Sequence, residues 1–139
     1  MRLTMCPTPV SVVRLSPDDE SPEWADGEPL SSVTRTANEL SVVCPTTVVP
    51  DDVQGQVQGP FVAVVIDDVL EFSQVGVLVA LLQPLADGGI PVLTVSTYDT
   101  DWVLVEAYRA ATAAALWRAA GYEVVEPPPT MHPGRPDDE

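Results

Sequence analysis

Four groups of residues in this sequence could do chemistry. Asp67 and Asp68 stand together after the apolar run Phe61 to Ile66. Adjacent acids at the end of a buried strand suit a phosphoryl-accepting pocket. That chemistry also needs a lysine and a second aspartate site, and all six basic residues here are arginines. The plainer reading is a pair of solvated carboxylates. Gly76 lies in FSQVGVL (Phe72 to Leu78), where a helix begins. A glycine there lets a ligand approach the backbone, and the free N–H groups of a helix start attract an anion such as a carboxylate. Close packing of helix on sheet would need the same glycine. STYDTDWVLV (Ser96 to Val105) sets two hydroxyl residues, a tyrosine and two acids around a hairpin turn. Asp99 is explained as a local turn cap. Asp101 opens a strand, where it either holds the cationic group of an amino acid or hydrogen-bonds the turn. The acidic run Asp18 to Glu20 with Glu23 reads as a solvated loop.

What is missing narrows the chemistry further. The one histidine, His132, sits in a Pro-rich tail, away from every serine and cysteine that could act as a nucleophile. No catalytic residue, metal site or cofactor is expected. Acids outnumber basic residues 21 to 6, for a formal charge of -15. Phosphate backbones and anionic lipid both need a cationic face, so neither nucleic acid nor a membrane surface is an expected partner. The longest apolar run, Val75 to Leu82, is less than half a membrane span. The N-terminus carries prolines where a signal peptide needs an apolar core. A cytoplasmic protein is expected. Cys6 and Cys44 read as reduced thiols, with a single bridge between them left open.

The elements that must position these residues follow from periodicity and punctuation. Residues 1–9 read as a frayed lead-in. VSVVRL (10–15), LSSVTRT (30–36) and ELSVVC (39–44) read as strands, the last two forming a hairpin around Ala37-Asn38, with Asn38 suited to positive φ. A Pro-, Asp- and Gly-rich connector follows. FVAVVID (61–67) is a strand apolar on both faces. Ser73 caps a helix that stops at Gly88-Gly89 and carries an awkward Pro84. PVLTVST (91–97) and DWVLVE (101–106) are strands, Ala107 to Gly121 is an Ala-rich helix, and YEVV (122–125) is a final strand. The fold class is α+β, with a ferredoxin-like βαββαβ order in the second half. The helix-free face of that sheet must be covered by the first segment, by a second subunit, or by both.

Phe61 to Val125 closely resembles an ACT domain. The phrases PLADGGI, STYDTD and SVTRTANELSVVC carry a likeness, over residues 10–125, to small bacterial two-ACT proteins related to the CASTOR arginine sensors. The resemblance implies two tandem ACT-like units: residues 1–55, reduced in helices, and 56–126, with 127–139 a disordered Pro-rich acidic tail. It implies an amino acid bound between ACT units and a homodimer that supplies the facing pair. The helix-start contacts fall on Gln74, Gly76 and Leu78, and the turn contacts on Thr97, Tyr98 and Asp101. Pro91 and Val92 match a dipeptide contributed by the facing unit. The arginine sensors carry an acid where this chain has Gln74, so one guanidinium partner is lost. Pro91 also removes a backbone donor. These two departures support an alternative, an interaction subunit with a vestigial site and a protein partner.

Overall fold

The computed structural model describes residues 1–67 and 76–126. Ser73, Gln74 and the tail from residue 127 lie outside the described residues. The order of elements is β1 (Arg2–Met5), β2 (Val10–Leu15), β3 (Ser32–Arg35), β4 (Leu40–Pro45), β5 (Gln56–Ile66), α1 (Val77–Asp87), β6 (Val92–Ser96), β7 (Asp101–Glu106), α2 (Ala110–Ala119) and β8 (Glu123–Val125). The second half therefore has the β-α-β-β-α-β order expected of it, and the fold is α+β and ferredoxin-like.

All eight strands join one sheet, and β5 is its spine. The first part of β5 pairs with β2, with Val13 opposite Val57 and Val10 opposite Phe61. Its second part pairs with β7 on one edge, Ala63 opposite Leu104, and with β1 on the other, Leu3 opposite Ile66. The first half thus runs β3-β4-β2-β5, every pair antiparallel. That is the strand order of a ferredoxin-like sheet, with loops and a single 3-10 turn in place of its helices.

Residues 2–5 do not fray. They form β1, which lies between β5 and β8 and is parallel to β8. Leu3 and Met5 are buried under the helices, and that burial outweighs the weak local strand signal of four residues next to Pro7 and Pro9. The strand β5 also begins five residues before Phe61, because its polar start has β2 to pair with. The turn after β3 differs too. Thr36 N–H donates to the Glu39 carbonyl, and the Thr36 hydroxyl accepts from the Asn38 and Glu39 amides at 3.1 and 3.2 Å. This four-residue turn needs no left-handed residue, and among the described residues only glycines have positive φ.

Strand alternation sorts the core into layers. On one face Val64, Ile66, Val103 and Val105 pack under Leu81 and Leu85 of α1 and Trp117 of α2. Leu81 and Leu85 are spaced i, i+4 on the buried stripe of α1. The Trp117 indole donates to the Leu81 carbonyl at 2.9 Å, which fixes α2 against α1. On the opposite face Val10, Val43, Phe61, Ala63 and Leu104 form a second cluster, closed by Leu30 from the loop before β3. The first segment therefore supplies cover for that face. A third cluster, Val13, Leu15, Leu40, Val42 and Cys44, is roofed by Trp24, Ala25, Val48, Val49 and Val53 from loops. Cys44 belongs to this third cluster and Cys6 packs against the second; both thiols are free.

Candidate functional site

Three local structures carry the site residues named from the sequence. The first is the start of α1. Gly76 stands at the N-cap position in a left-handed conformation, φ 89°, so the cap is a glycine and no side chain caps the helix. A Cβ built on Gly76 would meet no described residue within 4 Å. The left-handed backbone angle at this position favours glycine. Leu78 is half-buried and packs on the helix-covered core. Among the candidate ligand-binding residues, only Gln74 falls outside the described residues.

The second is the turn between β6 and β7. The Thr97 amide donates to the Thr100 carbonyl at 2.8 Å, the Thr100 amide donates to the Thr97 hydroxyl at 3.1 Å, and the two threonine hydroxyls are paired. The Trp102 indole donates to the Thr100 hydroxyl at 2.9 Å, anchoring the turn to the sheet. Across the mouth of the hairpin the Ser96 hydroxyl donates to Asp101 Oδ1 at 2.6 Å. This holds the Asp101 carboxylate at a fixed place and leaves its other lone pairs available to a cation. Tyr98 projects into solvent at the tip.

The third is the start of β6. Pro91 is exposed and Val92 half-buried. They help line a cleft of about 530 Å3 with Val57, Pro60, Phe61 and Leu93, closed on one side by Glu106 and Tyr108. No local signal marks this cleft. Glu106 simply ends the apolar run of β7, and the exposure of Tyr108 depends on the 3-10 turn Ala107–Arg109 that leads into α2.

Topology decides which of these come together. The β6–β7 turn lies beyond the Val65–Trp102 pair, while Val92 pairs with Val105 at the other end of the same ladder. α1 ends where β6 begins and runs back along the sheet, so its start lies at the end that carries the turn. Its eleven residues span about 16 Å, much the same as β6. Gly76, Thr97, Tyr98 and Asp101 therefore share one end of the molecule. Pro91 and Val92 lie at the opposite end, roughly 20 Å away along β6 at about 3.3 Å per residue.

Asp67, at the end of β5, accepts from Arg2 Nε at 2.8 Å and from the Thr4 hydroxyl at 2.6 Å. It ties β1 to β5, which is a structural role. Burial pushes the Cys6 and Cys44 thiols above their ordinary pKa, with the Asp67 charge adding to the effect at Cys6. Among the described residues no three His, Cys, Asp or Glu side chains gather as a metal site would require, and no helix is long and apolar enough to cross a membrane.

Comparison with known proteins places this geometry. The family model for the ACT domain matches residues 56–116, and a separate N-terminal domain model matches residues 10–52. The crystal structure of protein Atu0741 from Agobacterium tumefaciens is 30% identical, covers 94% of this chain and 96% of its own, and superposes with a TM-score of 0.85. The chain belongs to the same family as Atu0741, and its residues 56–116 match the ACT domain. The chain shares its fold with two more distant structures. One is VC0802 from Vibrio cholerae, a protein of unknown function titled a possible transport protein, at 16% identity over 85% of this chain and 88% of that one, TM-score 0.65. The other is the regulatory subunit of aspartate kinase from Thermus flavus, at 11% identity over 86% and 97%, TM-score 0.60. No curated protein matches the sequence.

Proposed function

We propose that this chain is a non-catalytic regulatory ACT protein that binds an amino acid between the ACT units of two copies. One observation carries the reading. The glycine-capped start of α1 at Gly76 and the hydrogen-bonded Asp101 carboxylate share one end of the sheet, as complementary partners for a ligand that bears both charges. The α-carboxylate would lie against the N–H groups of α1 and the ammonium group against Asp101. Thr97 and Tyr98 would flank it from the turn, Gln74 and Leu78 from the helix side.

The position of Pro91 and Val92 supports the second copy. A single chain keeps them at the far end of β6, so they can reach a ligand at Gly76 only from a neighbouring molecule. A two-fold dimer would then hold two equivalent sites. The resemblance of the sequence to relatives of the arginine sensors supports an amino acid as the ligand class, and the regulatory role of the Thermus flavus subunit supports a regulatory output. Thermal unfolding with each of the twenty amino acids tests the reading. A raised midpoint with one or a few of them, lost in Asp101→Ala while the variant keeps its unliganded midpoint, is the expected result. An unchanged response in Asp101→Ala removes the site.

A further inference from the structure

We propose that the cleft at the start of β6 is a second binding site, for a small organic cation with an apolar body. Most of its wall is apolar, from Val57, Pro60, Phe61, Pro91, Val92 and Leu93, with the amide of Gln58 among them. A volume of about 530 Å3 lies within the range of ligand pockets. Three large apolar or aromatic side chains at its rim stay exposed, Tyr108 at 74%, Val57 at 48% and Leu93 at 41%. Singly, such residues are normal on a surface; around one cleft they mark a place that gains by being covered.

The polar side of the cleft fixes the sign of the ligand. Glu106 is the one ionised group in its wall. Beside it, Arg109 shows what this arrangement holds. The Arg109 guanidinium carbon lies 5.1 Å from the Tyr108 ring centre, and its Nε lies 3.0 Å from Glu106 Oε1 and donates to the Tyr108 hydroxyl at 3.1 Å. A carboxylate, an aromatic face and a hydroxyl acceptor are thus already arranged around a cation. The Arg109 side chain is partly exposed and attached at the start of α2, so it can swing into solvent and give its place to an ammonium or guanidinium from the ligand. The hydrocarbon body would then lie on Phe61, Pro60 and Leu93. A net charge of -15 draws cations to the molecule and disfavours anions here.

This site goes beyond the proposed amino-acid site and needs no carboxylate on its ligand. Pro91 and Val92 figure in both, so the probe must separate them. n-Pentylamine has no group for the α1 helix start, and its neutral and anionic counterparts are pentanol and pentanoate. Titration of the full chain followed by NMR should show saturable binding of pentylammonium, with pentanol and pentanoate about tenfold weaker or worse. Glu106→Gln should weaken pentylammonium about tenfold, the scale of one charge-assisted contact. Arg109→Ala, which removes the internal competitor, should tighten it. Binding that persists in Asp101→Ala and is still weakened when Glu106→Gln is added belongs to the cleft, whereas binding lost in Asp101→Ala alone would belong to the amino-acid site and overturn the proposal. Equal binding of pentanol, unchanged affinity in a folded Glu106→Gln, or the absence of saturable pentylammonium binding would each overturn the proposal.

Discussion

The strand β5 serves two half-sheets, the first in ferredoxin-like strand order and the second with β1 inserted between β5 and β8, and they are covered in different ways. Beyond Phe61 the sheet is covered by α1 and α2, whose side chains Leu81, Leu85 and Trp117 are all fully buried. Before Phe61 the same face is covered by loops carrying Trp24, Val48 and Val53, and each of these is only partly buried. The strand order survives the loss of the helices because cross-strand pairing and one buried face suffice to specify register. The functional consequence is one-sided. An α-helix start exists at Gly76 and has no counterpart among the described residues of the first half, where the connection after β2 is a loop. On the proposed function, the first half is a platform and the ligand chemistry belongs to the second.

That contrast can be broken most sharply at the two tryptophans. Trp117→Ala removes a fully buried indole and its bond to Leu81, and should cost about 3–5 kcal/mol. Trp24→Ala trims a partly buried roof and should cost only about 1 kcal/mol. Chemical denaturation of both variants checks the difference; equal losses would mean the two halves are held equally tightly.

The seam between the halves should fall between these extremes. Gly59 has φ +140°, and a Cβ there would come within 2.6 Å of Ser11 Oγ and 3.2 Å of the Ser11 Cα, next to the irregular step in the β2–β5 pairing. The Ser11 hydroxyl is itself paired with Thr46 at 2.9 Å, so it cannot simply retreat. Gly59→Ala should cost roughly 1–3 kcal/mol. A neutral result would show that β5 is not pinned to β2 at this point.

The smallest effect concerns the thiols. Cys6 and Cys44 have pKa values raised chiefly by burial, so the fold favours the neutral form. Their contribution to stability is fully present below the unfolded thiol pKa and is lost as pH rises through the folded value. Alkylation near pH 8 should be slower at both than at a free cysteine. Asp67→Asn, which removes the secondary electrostatic contribution, should modestly speed Cys6 and leave Cys44 unchanged. Equal acceleration at both would point to loosening of the sheet instead.

The second half was legible because its signals are local. The apolar run of β5, the i, i+4 pair Leu81 and Leu85, the glycine stop at 88–89 and the Ala-rich α2 each reveal their element without help from elsewhere. The strand β1 was not legible, because its reason for existing lies some sixty residues away, in Val64 to Ile66. The start of β5 was hidden likewise, since QVQG is a strand only because β2 lies beside it. In the candidate site the sequence marked Gly76 and Asp101 through backbone chemistry and position. It did not mark the Glu106–Tyr108–Arg109 group, which is assembled by a 3-10 turn of three residues and faces a wall drawn from β5 and β6.

The most direct test of the central claim is thermal unfolding of the full chain against each of the twenty amino acids, repeated in Asp101→Ala. Ligand at a hundred times its dissociation constant adds about 2.7 kcal/mol. At roughly 3–6 °C per kcal/mol for a chain of this size, the midpoint should rise by several degrees or more. The account predicts such a rise with one or a few amino acids, absent in Asp101→Ala. No shift with any amino acid at millimolar concentration, or a shift that survives the substitution, would contradict it.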